Sequence, residues 1–221
     1  MLELDENLKP NQVKYLKTLE EILRTLQQFP RRYLFIGSGT KLQFAEPQQA
    51  INEVINYLNP KESEPILIIF GGDKADSKRP DLGYLVQQVK AQLRATVQVL
   101  SVQSWPEYCP FVDYIFKYPR TFCEKSKREL WGGLQNGAPV AATHYYLNNL
   151  VQKMLTALIC VGGGEIAKQE LAYVIKQGTL KHHYIRAEVR HHRTASLYGP
   201  AYDWYCKLDP SSLSPITNPK P

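Results

Sequence analysis

Apolar residues follow two patterns along the chain: short continuous runs, and longer stretches in which they recur every three or four positions. Continuous runs are typical of strands buried on both faces of a parallel sheet, whereas the wider spacing is typical of amphipathic helices. Strands are predicted over residues 33–36, 65–70, 96–102, 112–116, 157–161 and 181–187. Helices are predicted over residues 11–29, 46–58, 80–93, 143–155 and 165–178.

The predicted strands and helices alternate along most of the chain. This order predicts one α/β domain with a doubly wound, mostly parallel sheet and helices on both of its faces. The domain is expected to span residues 31–208. An amphipathic helix within residues 1–30 is expected either to pack on the sheet or to serve a dimer interface. Residues 209–221 are rich in Pro and Ser and are expected to lack regular structure.

The most informative stretch is ALICVGGGEIAKQELAYVIKQG, residues 157–178, which predicts a buried strand, a glycine turn and a helix. In open α/β sheets such a unit lies at the carboxyl edge, where ligands bind. Gly162, Gly163 and Gly164 allow the backbone to approach a ligand closely. The free N–H groups of the first helical turn favour an anion such as phosphate. Glu165 also lies in this turn, where its carboxylate competes with an anion unless it points outward.

A second glycine turn follows the strand predicted over residues 33–36. It consists of Gly37, Ser38, Gly39 and Thr40. The two hydroxyl groups suit a phosphate or a ribose, but an ordinary strand-to-helix turn has the same composition. The turn is therefore a candidate ligand contact that the sequence alone does not decide.

Two further segments supply candidate ligand contacts. Gly71, Gly72 and Asp73 follow the strand predicted over residues 65–70, and the aspartate either holds a ribose hydroxyl or caps a turn. Arg120 lies in a basic segment that either lines an anion site or forms a solvated helix face.

The composition is that of an ordinary globular protein, with 43% hydrophobic and 22% charged residues. No apolar run approaches the ~20 residues needed to cross a bilayer, and MLELDENLKP lacks the features of a signal peptide. A cytoplasmic protein without membrane association is expected. The four cysteines lack zinc-ligand or redox spacing, so reduced structural thiols and no metal are expected. They are Cys109, Cys123, Cys160 and Cys206.

The chain is basic, with a formal net charge of +6, and residues 181–193 are rich in Lys, Arg and His. Basic groups beside aromatic residues can hold phosphates and stack bases, so nucleic-acid binding is one hypothesis. On a strand, however, alternate residues face opposite sides, which separates His182 from His183 and disperses the charge. Anionic small molecules suit the charge equally well.

Residues 163–170 resemble a motif of the SLOG and Lonely Guy superfamily of Rossmann-like nucleotide-binding proteins. This superfamily includes the Lonely Guy phosphoribohydrolases, which were once misannotated as lysine decarboxylases. In that motif a strand is followed by two glycines, one residue, Gly-Thr, two residues and Glu. The chain keeps Gly163, Gly164 and Glu170 at this spacing. It departs from the motif at Ile166 and Ala167, which replace the Gly-Thr pair.

The resemblance covers residues 33–190 and implies a Rossmann-like fold that binds or senses a nucleotide, with no cofactor required. It also implies a role for Glu170 in N-glycosidic hydrolysis, acting on the developing oxocarbenium ion or on water. The alternative for Glu170 is an exposed helix residue. Because the Gly-Thr pair and the hydrolases' arginine motif have no clear match, the resemblance favours binding over hydrolysis. Because members of this superfamily are commonly dimers, the resemblance also implies that the protein forms a homodimer.

Overall fold

A parallel seven-stranded sheet is the centre of the fold. The computed structural model describes residues 13–38, 42–58, 64–72, 74–93, 97–103, 109–117, 121–123, 128–130, 134–135, 138–139, 153–178 and 180–191. The strands are β1 (Lys14–Leu16), β2 (Arg31–Gly37), β3 (Leu42–Phe44), β4 (Ile66–Phe70), β5 (Val97–Gln103), β6 (Tyr114–Lys117), β7 (Thr121–Cys123), β8 (Arg128–Leu130), β9 (Leu134–Gln135), β10 (Ala138–Pro139), β11 (Ala157–Val161), β12 (His182–Ile185) and β13 (Val189–His191). The helices are α1 (Leu19–Gln27), α2 (Pro47–Leu58), α3 (Leu82–Gln92) and α4 (Glu165–Gln177).

The strand order of the main sheet is β1-β6-β5-β4-β2-β11-β12, and every neighbouring pair is parallel. From β2 the chain moves outward through β4 and β5 to β6, and it then returns to β11 on the opposite side of β2. The strand order therefore reverses between β2 and β11, which makes this pair the topological switch point of the sheet. The predicted doubly wound, parallel α/β architecture is confirmed.

Two hydrophobic layers cover the sheet, one on each face. Helices α2 and α3 pack on the first face, where the fully buried Val54 shares a cluster with the β2 residue Phe35. Helices α1 and α4 pack on the second face, where Leu171 shares a cluster with the β2 residue Leu34. Neighbouring residues of β2 thus face opposite layers, as pleating requires. All five residues of β4 are buried, as a strand covered on both faces must be.

The first helix is shorter than the apolar spacing predicts. Residues 14–16 form β1 and pair in parallel with residues 114–116 of β6. The helix begins only after Thr18, whose side chain accepts a hydrogen bond from the Glu21 N–H while the Glu21 carboxylate accepts one from the Thr18 backbone. Because this capping box fixes the start of α1, the prediction of one helix over residues 11–29 is wrong in its first part.

A short antiparallel ribbon, which the sequence pattern does not predict, consists of β3 and β13. Phe44 lies opposite Val189 in its register. The Phe44 N–H donates to the Pro80 carbonyl (2.7 Å), and the Ala45 N–H donates to the Glu188 carbonyl (2.9 Å). The ribbon is thereby tied to the segment before α3 and to the segment after β12. Strands of three residues are too short to show an alternating pattern.

Several other predictions concern individual elements. Helix α4 ends at Gly178, which has a left-handed conformation (φ +63°) that suits glycine. Cys109 and Cys160 are buried free thiols, as expected for structural cysteines. None of the helices in the described ranges is long and apolar enough to cross a bilayer. The predicted tail at 209–221, and nearly all of the helix predicted over 143–155, lie outside the described residues.

An aromatic stack joins β12 to helix α2. The His183 ring lies parallel to the Tyr57 ring, with centroids 4.1 Å apart and an interplanar angle of 12°. Tyr57 in turn meets Tyr33 of β2 edge-on at 6.2 Å. Burial lowers the pKa of His183, and the neighbouring His182 lowers it further. The folded protein therefore favours the neutral imidazole.

This shift predicts that the free energy of unfolding decreases as the pH falls below about 6.5, the ordinary pKa of histidine. The unfolded chain binds the proton more readily, so protonation favours unfolding in this range, and the stability is fully present only at higher pH. His183→Phe keeps a ring against Tyr57 and removes the proton. Urea unfolding at pH 7.5, 6.5 and 5.5 should show a smaller decrease for this variant. An equal decrease in both proteins would contradict the assignment to His183.

Candidate functional site

The carboxyl ends of β2 and β11 approach each other closely at the switch point. Gly37 is paired with Val161 in the register of the two strands. A Cβ atom on Gly37 would lie 2.4 Å from the Val161 carbonyl oxygen, a distance that no side chain tolerates. Glycine is therefore required at position 37 by strand packing, and the residues that directly follow the two strands, Ser38 and Gly162, lie next to each other.

Ser38 follows directly and lies at the base of the site. Its side chain is fully buried, at 0% exposure. The Ser38 hydroxyl has no hydrogen-bond partner among the described residues. Its Oγ atom lies 3.2 Å from the position that a Cβ atom on Gly162 would occupy. A buried hydroxyl without a partner is costly, so one placed beside a glycine turn calls for a functional explanation.

The loop after β11 has a backbone that glycine favours. Gly162 has φ +57° and Gly163 has φ +114°. The Gly162 N–H donates to the Ile185 carbonyl (3.1 Å). The Gly162 carbonyl accepts hydrogen bonds from the Tyr184 hydroxyl (3.1 Å) and the Cys160 thiol (3.5 Å). Strand β12 thus contacts Gly162 through both the N–H and the carbonyl of this residue, and Cys160 of β11 adds a second donor to the carbonyl.

The N-terminus of α4 meets the glycine loop. Gly164 is its N-cap residue and provides no side-chain hydrogen bond to the first turn. Among the described residues, the Gly163 and Gly164 N–H groups have no acceptor. The Glu165 side chain is exposed and forms an ion pair with Lys168 at 3.0 Å. Because Lys168 offsets this carboxylate, the positive end of the helix dipole remains available to an anion.

Helix α3 begins close to the same site but has its own acceptor. The buried Asp81 carboxylate accepts hydrogen bonds from the N–H groups of Gly83 (3.0 Å) and Tyr84 (3.3 Å). The Leu82 N–H donates to the Ser38 carbonyl (2.8 Å). The start of α3 is therefore occupied by protein groups. Asp81 was absent from the candidate residues, although an aspartate just before an apolar helical stretch is an N-cap signal.

The third predicted turn follows β4, the other neighbour of β2. Gly72 is buried with φ +81°. A Cβ atom on Gly71 would have no atom within 4 Å, so packing places no demand on that residue. The remaining candidate ligand contacts, Gly39, Thr40, Asp73 and Arg120, lie outside the described residues.

Glu170 lies in the second turn of α4 and is only 7% exposed. Its alternative assignment as an exposed helix residue is wrong, because the adjacent Leu171 and the preceding Ala167 direct this side of α4 towards the sheet. Burial raises the pKa of the Cys160 thiol, and the charge of Glu170 raises it further. Cys160 shares the hydrophobic cluster of the second face with Ala167 and Leu171, so the side of α4 that carries Glu170 packs near the end of β11, where the glycine loop begins.

The described basic residues of the segment 181–190 differ in their exposure. Lys181, His182 and Arg186 are exposed, whereas His183 packs against Tyr57 of α2. The alternation expected on a strand therefore separates the two histidines. Within the described ranges, no three His, Cys, Asp or Glu side chains are grouped as metal ligands would be.

Alanine substitutions at three glycines test this description of the site. Gly178→Ala should lower the free energy of unfolding by about 1–2 kcal/mol. Gly178 has a left-handed conformation, but the space around its Cβ position is open. Gly162→Ala should lower the free energy of unfolding by about 2–4 kcal/mol. Gly162 is also left-handed, and in addition a Cβ atom there would lie 2.8 Å from a Val189 methyl group. Gly71→Ala is the control and should be nearly neutral. Urea unfolding measures all three, and equal losses for Gly162 and Gly178 would contradict the close packing.

Comparisons with known proteins add little to this geometry. No protein-family model matches the chain, and no curated protein matches it. The chain is similar to the X-ray structure of TM1055, a target of the Northeast Structural Genomics Consortium, with 16% sequence identity and a TM-score of 0.41. The similarity covers 67% of this chain and 70% of that chain. At this level it carries no argument about function.

Proposed function

We propose that the protein binds a nucleotide or a related phosphorylated small molecule at the switch point between β2 and β11. The phosphate lies against the Gly163 and Gly164 N–H groups at the start of α4. The observation that carries this proposal is the fully buried Ser38 hydroxyl, which has no partner among the described residues. Oxygen atoms of a ligand phosphate that accept hydrogen bonds from this hydroxyl and from the two amide groups would give each of these donors a partner.

The location supports the same proposal. Ligands of open α/β sheets bind outside the carboxyl ends of the strands at a switch point. The neighbouring start of α3 is capped by Asp81, whereas that of α4 has no side-chain cap. An anion is therefore directed to α4. The preference for a nucleotide rests on the resemblance of residues 163–170 to the SLOG and Lonely Guy motif, and membership of that superfamily is part of the proposal.

Ser38→Ala should have opposite effects on stability and on binding. Removing a buried, unpaired hydroxyl should stabilise the free protein by about 1 kcal/mol. It should also weaken phosphate-ligand binding by about 10–100-fold, because a hydrogen bond to a charged group is lost. Thermal unfolding with nucleoside mono-, di- and triphosphates, dinucleotides and cyclic nucleotides measures both effects. At 100 times its dissociation constant, a ligand should raise the melting temperature of the wild-type protein by about 5–10 °C.

Thr25→Val provides a control for this experiment. The Thr25 hydroxyl is also buried, but it donates to the Glu21 carbonyl (2.8 Å) within α1. Its loss should destabilise the protein and leave ligand binding unchanged. If no ligand of the panel stabilises the wild-type protein, the proposed function is wrong.

N-glycosidic hydrolysis of a nucleotide is a second candidate function, favoured by the burial of Glu170 near the glycine loop. A buried carboxylate is suited to stabilise the positive charge that develops on a ribosyl group. Glu170→Gln should abolish release of free base from nucleoside monophosphates while preserving the ligand-induced rise in melting temperature. Chromatography of the released base measures this. Turnover that persists in Glu170→Gln would exclude a catalytic role for this glutamate. If the wild-type protein shows no turnover, ligand binding is the only proposed function that remains.

A further inference from the structure

The peptide between Gly162 and Gly163 is anchored from one side. Its carbonyl oxygen accepts hydrogen bonds from the Tyr184 hydroxyl (3.1 Å) and the Cys160 thiol (3.5 Å). Cys160 and Tyr184 are direct partners in the register of β11 and β12. Two neighbouring strands therefore place their donors side by side against the same acceptor.

The orientation of this carbonyl determines where the next amide hydrogen points. Among the described residues no peptide bond is cis, and in a trans peptide the C=O and N–H bonds point in opposite directions. With the Gly162 carbonyl held towards Tyr184, the Gly163 N–H points away from Tyr184 and Cys160. Glycine allows many backbone conformations, so this orientation depends on the hydrogen bonds to the carbonyl as well as on the chain.

We propose that Tyr184 is a positioning residue for the ligand site. Its hydroxyl fixes the Gly162–Gly163 peptide so that the Gly163 N–H donates to the anionic group of the ligand. This inference rests on the proposed function and extends it to a residue that contacts the loop from β12. The two residues that hold the carbonyl contribute unequally, because a thiol is a weaker donor than a phenol. The Cys160 thiol nevertheless remains a donor, since burial raises its pKa and keeps it protonated.

Tyr184→Phe tests the proposal because it retains the ring and removes only the donor. Tyr114→Phe is the matched control: its hydroxyl donates to Gln98 Oε1 (2.8 Å), and its strand β6 is separated from β11 by three strands of the sheet. Adenosine monophosphate and inorganic phosphate are the probes, with affinities measured by calorimetry. The Gly163 amide signal in ¹⁵N-resolved NMR spectra reports the peptide orientation directly.

Tyr184→Phe should bind the probe about tenfold more weakly, as expected for one lost orienting hydrogen bond, and should shift the Gly163 amide signal in the free protein. Tyr114→Phe should change neither. If Tyr184→Phe binds as tightly as the wild type, or if it loses affinity with an unchanged Gly163 signal, the positioning role is overturned while the proposed function stands. If the wild-type protein binds neither probe but another nucleotide stabilises it, the same comparison with that nucleotide decides the positioning role: equal affinity of Tyr184→Phe and the wild type overturns it. If no phosphorylated ligand binds, both proposals are wrong.

Discussion

The close approach of β2 and β11 at their carboxyl ends is the constraint on which the site depends. It excludes a side chain at Gly37, where a Cβ atom would lie 2.4 Å from a carbonyl oxygen. It also places Gly162 against Ser38 and Val189. These two glycines are explained by packing alone, without any ligand. Gly163 and Gly164 are different, because their amide hydrogens have no acceptor in the described part of the chain.

Electrostatics then distinguishes two helices that start near the same point. Helix α3 is capped by the Asp81 carboxylate, which already supplies the negative charge that a helix N-terminus favours. Helix α4 begins at a glycine without a side-chain cap, and its first acidic residue is paired with Lys168. This difference is the reason why the proposed function assigns the phosphate to the loop after β11 and not to the start of α3.

The sequence predicts the architecture well because the signals for it are local and strong. Five successive apolar residues in β4 can be buried only between two layers, and glycine turns after strands mark the carboxyl edge. The apolar pattern predicts the start of α1 wrongly, because Val13 and Leu16 fit a helical spacing even though Leu16 belongs to β1. The burial of Glu170 agrees with its place on the same side of α4 as the buried Ala167 and Leu171.

Other parts of the site depend on contacts that no local pattern encodes. In the sequence, nothing distinguishes Tyr184 from the other residues of an alternating strand. Only the register of β12 against β11 brings its hydroxyl within hydrogen-bonding distance of the Gly162 carbonyl. The absence of a partner for the Ser38 hydroxyl in the described part of the chain is likewise a property of the assembled sheet. Sequence patterns can therefore indicate where a ligand binds, but the groups that orient it become visible only in three dimensions.

The ribbon of β3 and β13 has a consequence for the order in which the protein can assemble. It joins a segment that follows β2, near the beginning of the chain, to one that follows the last strand of the sheet. Contacts between such distant segments form late, because a long loop must close first. During synthesis, β2, β4 and β5 emerge well before β11, β12 and β13. A nascent chain can therefore assemble part of its sheet while the candidate site is still incomplete. Under the proposed function, a ligand would stabilise only the finished domain.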